Sequence, residues 1–533
     1  MASGDISGMV RVWDATGNGT TKLESAIISG PINDVAWDGD SQRIIAVGEG
    51  KERMGHCFTW DSGNSVGEIS GHSSRINCVD VRKARPLRAA TGSDDTSVVW
   101  YQGAPFKFKD SLRAQHQRFV FGVAFSPDGE LLASVGADKR IWLYDGKTGE
   151  PKTQVGEGAH NGSIFGVSWS KDSQRFVTCS ADQTVRIWDA ATGKETQVWR
   201  MGEEGVVSIS DQQVGVTWPP GRSDGLIVSV DLDGNLNYLV EGSQKPTKVV
   251  KGHQKSITAA TVSQNTFYTG SYDGRVCAWD ITTGEAEKVD GDSHTNHVAD
   301  FTAELKKDRI YSVGWDDTLR CISAKTFTGI AAGVGGQPKA VASAVNGYVY
   351  TVTPDAIVIF KEQQKVKSLP VKGATSIAAS ESGLLAVGYD DKSVRIYSIS
   401  KSENPEPQNH ELRKATAAIS TISFSPNGKY LAAGVSNGKI LVYSTSNWSV
   451  VTDRWSAHTA RITSLAWDPT GEFAVSGSLD TNVYVWSVAN PGGRIKALNA
   501  HKDGVNGVAW VDSGKVLSTG GDATVKLWKV EVL

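Results

Sequence analysis

SADQTVRIWD, residues 180 to 189, is the stretch from which the rest of the chain can be read. A turn of small residues carries Asp182, and an alternating segment then runs to an aromatic, Trp188, six residues later. Alternation with period two marks a strand that follows a tight turn. The same arrangement returns as GSYDGRVCAWD (270 to 280), GSLDTNVYVW (477 to 486) and GGDATVKLW (520 to 528), with weaker copies between them. Its last position falls at Trp13, Trp60, Tyr101, Tyr144, Trp188, Leu239, Trp279, Ile322, Phe360, Tyr397, Tyr443, Trp486 and Trp528. Those thirteen positions are spaced by about 43 residues, so the chain is an array of one small unit rather than a set of unrelated domains.

Composition agrees with strands. The 533 residues are 39% hydrophobic, enough for several cores, and 57 Gly and 17 Trp against 4 Met favour many short strands over helices. The 55 basic and 58 acidic residues are mixed along the chain, giving a net charge of −3 and no broad basic face, so nucleic acid is not an expected partner. Cys57, Cys78, Cys179, Cys277 and Cys321 contain no CxxC pair, which fits buried thiols in a reducing compartment, and no metal or cofactor is expected. The first residues carry no basic-then-apolar leader, and no stretch of about 18 apolar residues occurs, so a soluble cytoplasmic chain with no membrane partner is expected.

With Gly-His or Ala-His ahead of the turn and Trp-Asp at its end, the repeat resembles the WD repeat of β-propellers, in which each copy is one four-stranded blade. The resemblance implies an all-β fold of two tandem seven-bladed WD40 β-propellers, the first incomplete at its N-terminus. Seven endings lie from Trp279 onward and six before it, which places a boundary near Gly242. The expected domains are 1–241 and 242–533, with a strand near Lys245 to Val250 closing the second ring from outside. The chain opens on the turn between the second and third strands of a blade, so the first ring is expected to lack the strands that complete it, with a true six-bladed ring as the alternative.

The best copies also suggest what ties a blade together. His160, Ser180, Asp182 and Trp188 can form a chain of side-chain hydrogen bonds between the loop entering a blade and its central turn. His253, Ser271, Asp273 and Trp279 repeat it, as do His458, Ser478, Asp480 and Trp486. Such polar groups satisfy one another away from water and are structural, not catalytic. DGKTGE (145 to 150) contains Gly-Lys-Thr, but Ile141 stands where a phosphate loop needs its first Gly, and the segment reads as a hairpin. With no GxSxG, HExxH or paired-carboxylate pattern, no catalytic residues are expected and the chain is not read as an enzyme.

Several segments depart from the generic blade: GPINDVAWDGDSQRIIAVGEGKERMGHCFTWDSG (30 to 63), GSDDTSVVWYQGAPFKFK (92 to 109), AQHQRFVFGVAFSPDG (114 to 129) and EEGVVSISDQQVGVTWP (203 to 219). With SVGWDDTLR (312 to 320) they resemble the actin-interacting protein 1 family over the whole chain. The resemblance implies cofilin-dependent severing and disassembly of actin filaments, with actin filaments and cofilin as partners, by a monomer at cortical actin patches. It further implies that Glu52, Asp94, Phe108 and Phe119 engage actin with cofilin.

Residue chemistry gives each of the four a local reading. Asp95 is the structural Asp of its blade, six residues before Tyr101, which leaves Asp94 to face outward, although an ordinary turn Asp bonding its own backbone fits as well. Glu52 lies between Lys51 and Arg53, as in any solvated charged loop. Of Phe106 and Phe108, interleaved with Lys107 and Lys109, one is expected to pack inward and the other to be exposed. Phe119 precedes an inner strand at the same end of the ring as Glu52 and Asp94, so these three should cluster. The alternative function is a general WD40 interaction scaffold, such as a ubiquitin ligase receptor or a coat-like subunit. Such proteins usually add a helical or disordered module that is not evident here.

Overall fold

The computed structural model describes residues 1–16, 20–202, 205–222, 224–304, 308–399 and 404–531, so residues 203 and 204 of the distinctive 203 to 219 segment lie outside the described residues. Among the described residues there is no helix, and the strands form thirteen antiparallel sheets, eleven of four strands and two of three. The fold is the all-β propeller architecture of WD40 repeats.

The sheet containing residues 180 to 189 shows why. Its strands, Ile164–Trp169, Arg175–Ser180, Thr184–Asp189 and Glu195–Arg200, follow one another up and down in chain order. The second strand is buried on both faces from Phe176 to Ser180 because it lies between neighbouring sheets, which is why its sequence is a continuous apolar run and not an alternation. The last strand faces solvent and is mostly polar. Trp188 pairs with Phe176 and is 1% exposed. Eleven of the thirteen repeat endings occupy this place on the third strand of their sheet, and Trp13 ends the middle strand of the three-stranded first sheet. The exception is Trp60, which follows the strand Gly55–Thr59; buried Phe58, opposite Ile44, holds the position instead. The long loop from Glu49 to Met54 shifts the count from turn to aromatic.

The chain divides into two compact units, Met1–Val250 and Lys251–Leu533. The first contains six sheets, beginning with Ala2–Gly4, Met9–Trp13 and Thr21–Ala26. The strand Lys248–Val250 pairs with Leu236–Leu239, so it is the outer strand of the sixth sheet and not the closing strand of the second unit. A hydrogen bond of 2.8 Å from the Thr247 amide to the Tyr238 carbonyl fixes that register. The second unit holds seven sheets and closes on itself: Asn506 Nδ2, on the inner strand of the last sheet, donates to the Ile257 carbonyl of the first at 2.7 Å.

That bond belongs to a belt. The second residue of an inner strand donates to the neighbouring inner strand at Asn33 (to Ile76 O, 2.8 Å), Asn77 (to Val120 O, 3.0 Å), Thr258 (to Val298 O, 2.6 Å) and Thr375 (to Ile419 O, 2.7 Å). Each bond joins two sheets edge to edge at the end of the ring where the chain enters each sheet. In two sheets of the first unit the position is aromatic, Phe121 and Phe165, and neither side chain can donate such a bond.

Within the sheets, the histidine networks form with one correction. His160 Nδ1 meets Asp182 at 2.9 Å, but the hydroxyl joining His160 to Trp188 belongs to Thr178, which bonds His160 Nε2 and Trp188 Nε1, both at 2.9 Å. Ser180 only receives the Asp182 amide, at 3.1 Å. Likewise Ser476, and not Ser478, joins His458 to Trp486, and Thr269, and not Ser271, joins His253 to Trp279. Residues two apart on a strand share a face, so the sequence offers both hydroxyls equally. His458 keeps Asp480 at 2.9 Å. In the remaining copy Asp273 turns to Ser271 at 2.5 Å, His253 Nδ1 is left without a partner, and burial pushes the His253 ring down to about 4. DGKTGE is the expected hairpin, with Asp145 capping the amides of Lys147 and Thr148 at 2.9 Å.

Candidate functional site

Asp94 sits in the turn between Arg88–Ser93 and Val98–Gln102, immediately before Asp95. Asp95 makes the structural contact, bonding His72 Nδ1 at 3.0 Å, and this frees Asp94 from the blade network as its position implies. Asp94 is nevertheless not a loose outward carboxylate: its side chain is 12% exposed, receives Arg75 Nε at 2.6 Å, and receives Asn77 Nδ2 at 2.8 Å. The same Asn77 nitrogen donates to Val120 O, so a single amide fixes Asp94 against the start of the next sheet.

Phe119 stands one residue before that contact. Its ring is 45% exposed and meets Phe121 edge-on with centroids 6.2 Å apart, and Phe121 meets Phe165 at 5.3 Å. Asp94 and Phe119 are therefore brought together, and Phe119 heads a row of three rings that takes over where the belt is interrupted. Sequence reasoning missed Phe121 and Phe165. The available signal was an aromatic at a position that is Asn or Thr in other copies of the repeat.

Glu52 is exposed in the Glu49–Met54 loop of the preceding sheet. That loop is pinned at its ends, with Gly48 N donating to Met54 O at 2.7 Å and Glu49 N to Pro31 O at 2.9 Å. A Cβ at Gly30 would lie 1.9 Å from Glu49 O, so the backbones there can approach only with glycine. Phe108 is 47% exposed on the outer strand Lys107–Leu112, while Phe106 is fully buried, so the expected division between the two rings resolves in that order. The Phe108 ring lies over Gly71, where a Cβ would come within 2.6 Å of it. Loop residues Val206, Val207 and Ile209 are also exposed, on a segment that Ser208 N anchors to Gln183 at 3.3 Å.

Beneath these groups the inner strands carry half-buried carboxylates. Burial pushes Asp34 up to about 7 against the opposing hydrogen bonds of the Val79 and Val35 amides, and burial likewise raises Asp80. The network carboxylates behave oppositely. Burial acts to raise Asp182, but the hydrogen bond and charge of His160, with the Thr184 hydroxyl and the Asn161 amide, hold it below the usual range. A raised carboxyl adds stability below its ordinary pKa and loses it as pH climbs through the folded value, whereas a lowered one loses its contribution as pH falls. Stability should thus decline on acidification below about 4 through the network, and it should also drift down through Asp34 as pH rises from about 4 to 7. Urea midpoints measured against pH should show the second slope flattened in Asp34→Asn; an unchanged slope would remove Asp34 from the account.

The repeat is shared with known proteins. The family described as "WD domain, G-beta repeat" matches residues 63–101, 107–145, 152–189, 244–280, 407–444, 449–487 and 492–529. An uncharacterized WD repeat-containing protein of Schizosaccharomyces pombe is 45% identical over 467 residues, covering 86% of this chain and 76% of its own. WD repeat-containing protein 1-B of Xenopus laevis is 40% identical, covering 86% of this chain and 75% of its own. Actin-interacting protein 1 of Drosophila melanogaster is 38% identical, with the same coverage of 86% and 75%. This chain belongs to the WD-repeat family, in the group formed by actin-interacting protein 1 and WD repeat-containing protein 1.

Proposed function

We propose that the protein binds actin filaments and promotes their cofilin-dependent severing and disassembly, through the end of the first unit that carries Glu52, Asp94, Phe108 and Phe119. The observation that carries the reading is the exposed Phe119 ring beside an Asp94 fixed by Asn77, in a chain whose relatives include one named for its interaction with actin. An aromatic anchor with a charged neighbour held in place has the make-up of a protein-binding hot spot. Binding of this kind needs no catalytic group and no cofactor. A binder promotes severing to the extent that it prefers the cofilin-occupied filament to the bare one, and a tenfold preference corresponds to about 1.4 kcal/mol. The reading places the protein as a monomer in the cytoplasm, at cortical actin.

Actin co-sedimentation with and without cofilin tests it. Wild-type protein should move actin from pellet to supernatant only when cofilin is present. Phe119→Ala, whose ring is half exposed, should lose most of that effect with an unchanged melting temperature. Because Asp94 also ties two sheets, Asp94→Ala is read beside its own melting curve. Actin that stays pelleted with wild-type protein and cofilin present would overturn the proposal, and a fully active Phe119→Ala would overturn the site.

A further inference from the structure

The second unit repeats, with different chemistry, the two positions that bring Asp94 and Phe119 together in the first. One is the residue after the second strand, just before the structural Asp; the other is the residue before the next inner strand. In the second unit the first pair of equivalents is Tyr272 and His297, and the next is Trp315 and Lys339.

All four side chains are in contact as a row. Tyr272, 56% exposed, meets the His297 ring edge-on at 5.6 Å; His297 stacks on Trp315 at 4.2 Å; and Lys339 Nζ lies 5.6 Å from the Trp315 ring centroid. His297 Nδ1 is buried without a hydrogen-bond partner, an unmet polar atom inside an otherwise aromatic row. The blade's own histidine pair lies beneath the row: His294 bonds Asp316 at 2.9 Å and Ser312 at 2.9 Å.

The row borders the mouth of the channel formed by the inner strands, a cavity of about 690 Å³ whose lining includes His297, Trp315, Lys339 and Arg461. The cavity lining carries two cations, Lys339 and Arg461, and one carboxylate. The lining carboxylate, Asp300, lies further along its strand and already accepts the Phe301 and Val341 amides, each at 2.9 Å.

We infer that this end of the second unit is a docking site for an acidic peptide segment, one aromatic side chain of which packs on Tyr272 and Trp315 while a carboxylate reaches Lys339 at the channel mouth. Charge complementarity selects the acidic partner, and the exposed Tyr272 ring with the half-buried Trp315 ring supplies the apolar anchor. The site is independent of the one assigned to the first unit.

The test is fluorescence anisotropy on the full chain with a labelled short peptide of alternating Glu and Ser bearing one central Phe. Saturable binding is expected, weakened about tenfold or more by Trp315→Ala and by Lys339→Glu, and unchanged by Phe119→Ala. A peptide with Ala for Phe should bind correspondingly worse. Should Trp315→Ala unfold the unit, the exposed positions decide the matter through Tyr272→Ser and Lys339→Glu. Absence of binding, equal binding of a Lys-for-Glu peptide, or full affinity in Lys339→Glu and Tyr272→Ser would overturn the inference.

Discussion

Asp182→Ala is expected to destabilise its sheet by about 3–5 kcal/mol, Thr178→Val by about 2 kcal/mol or more, and Ser180→Ala by only about 1 kcal/mol. The ordering follows from what each change strands. Asp182 accepts from His160 Nδ1, the Thr184 hydroxyl, and the amides of Asn161 and Thr184, so alanine leaves a buried imidazole and three further donors without a partner. Valine at 178 keeps the shape of threonine but deprives His160 Nε2 and Trp188 Nε1 of their shared oxygen. Ser180 accepts one amide at the edge of a turn. Amide hydrogen exchange over Ile164–Trp169 and Thr184–Asp189 would report the losses locally, in a chain whose two units need not unfold together. A Ser180→Ala loss as large as that of Thr178→Val would sink the corrected network.

The repeat was legible because its signals are local. A turn, an alternating strand and an aromatic occupy about ten residues, and the period of about 43 follows from counting them. What the sequence hid is whatever depends on which of two equivalent neighbours is used. Thr178 and Ser180 share a strand face, and only the position of His160 chooses between them. Phe58 and Trp60 stand two apart, and the length of the Glu49–Met54 loop decides which pairs with Ile44. Lys248–Val250 is a short strand whose sequence does not say which sheet it joins; backbone pairing with Leu236–Leu239 does.

The site was legible to the same degree. Asp94 could be recognised as distinct from the structural Asp95 by counting to Tyr101. That Arg75 and Asn77 would hold it could not, because Asn77 comes from the inner strand and reaches the following sheet as well. Phe121 and Phe165 pass for core residues until the belt of Asn and Thr donors around them is seen.

Trp455→Ala should cost about 3–5 kcal/mol, on the scale of the largest single-residue losses. Trp455 ends the outer strand Val450–Trp455, where half of the side chains face water, yet it is 0% exposed. Its ring stacks on Trp486 at 5.6 Å with an interplanar angle of 18°, and it lies 6.1 Å from Trp467. Trp486 is in turn the last member of the His458, Asp480 and Ser476 network, so removing Trp455 opens a void against the ring that closes that network. The dispersion attraction forfeited around a void is not regained when the surrounding sheets are held by their own hydrogen bonds, and this makes alanine costly here. Phenylalanine should cost less than half as much, because it retains most of the stacking area and removes an Nε1 proton that has no partner in the folded state. Urea unfolding of the full chain, with hydrogen exchange over Ile462–Trp467 and Val483–Ser487, distinguishes the two variants. Equal losses for alanine and phenylalanine would mean that the Nε1 proton has a partner after all and that the stacking area is not what stabilises this corner of the ring.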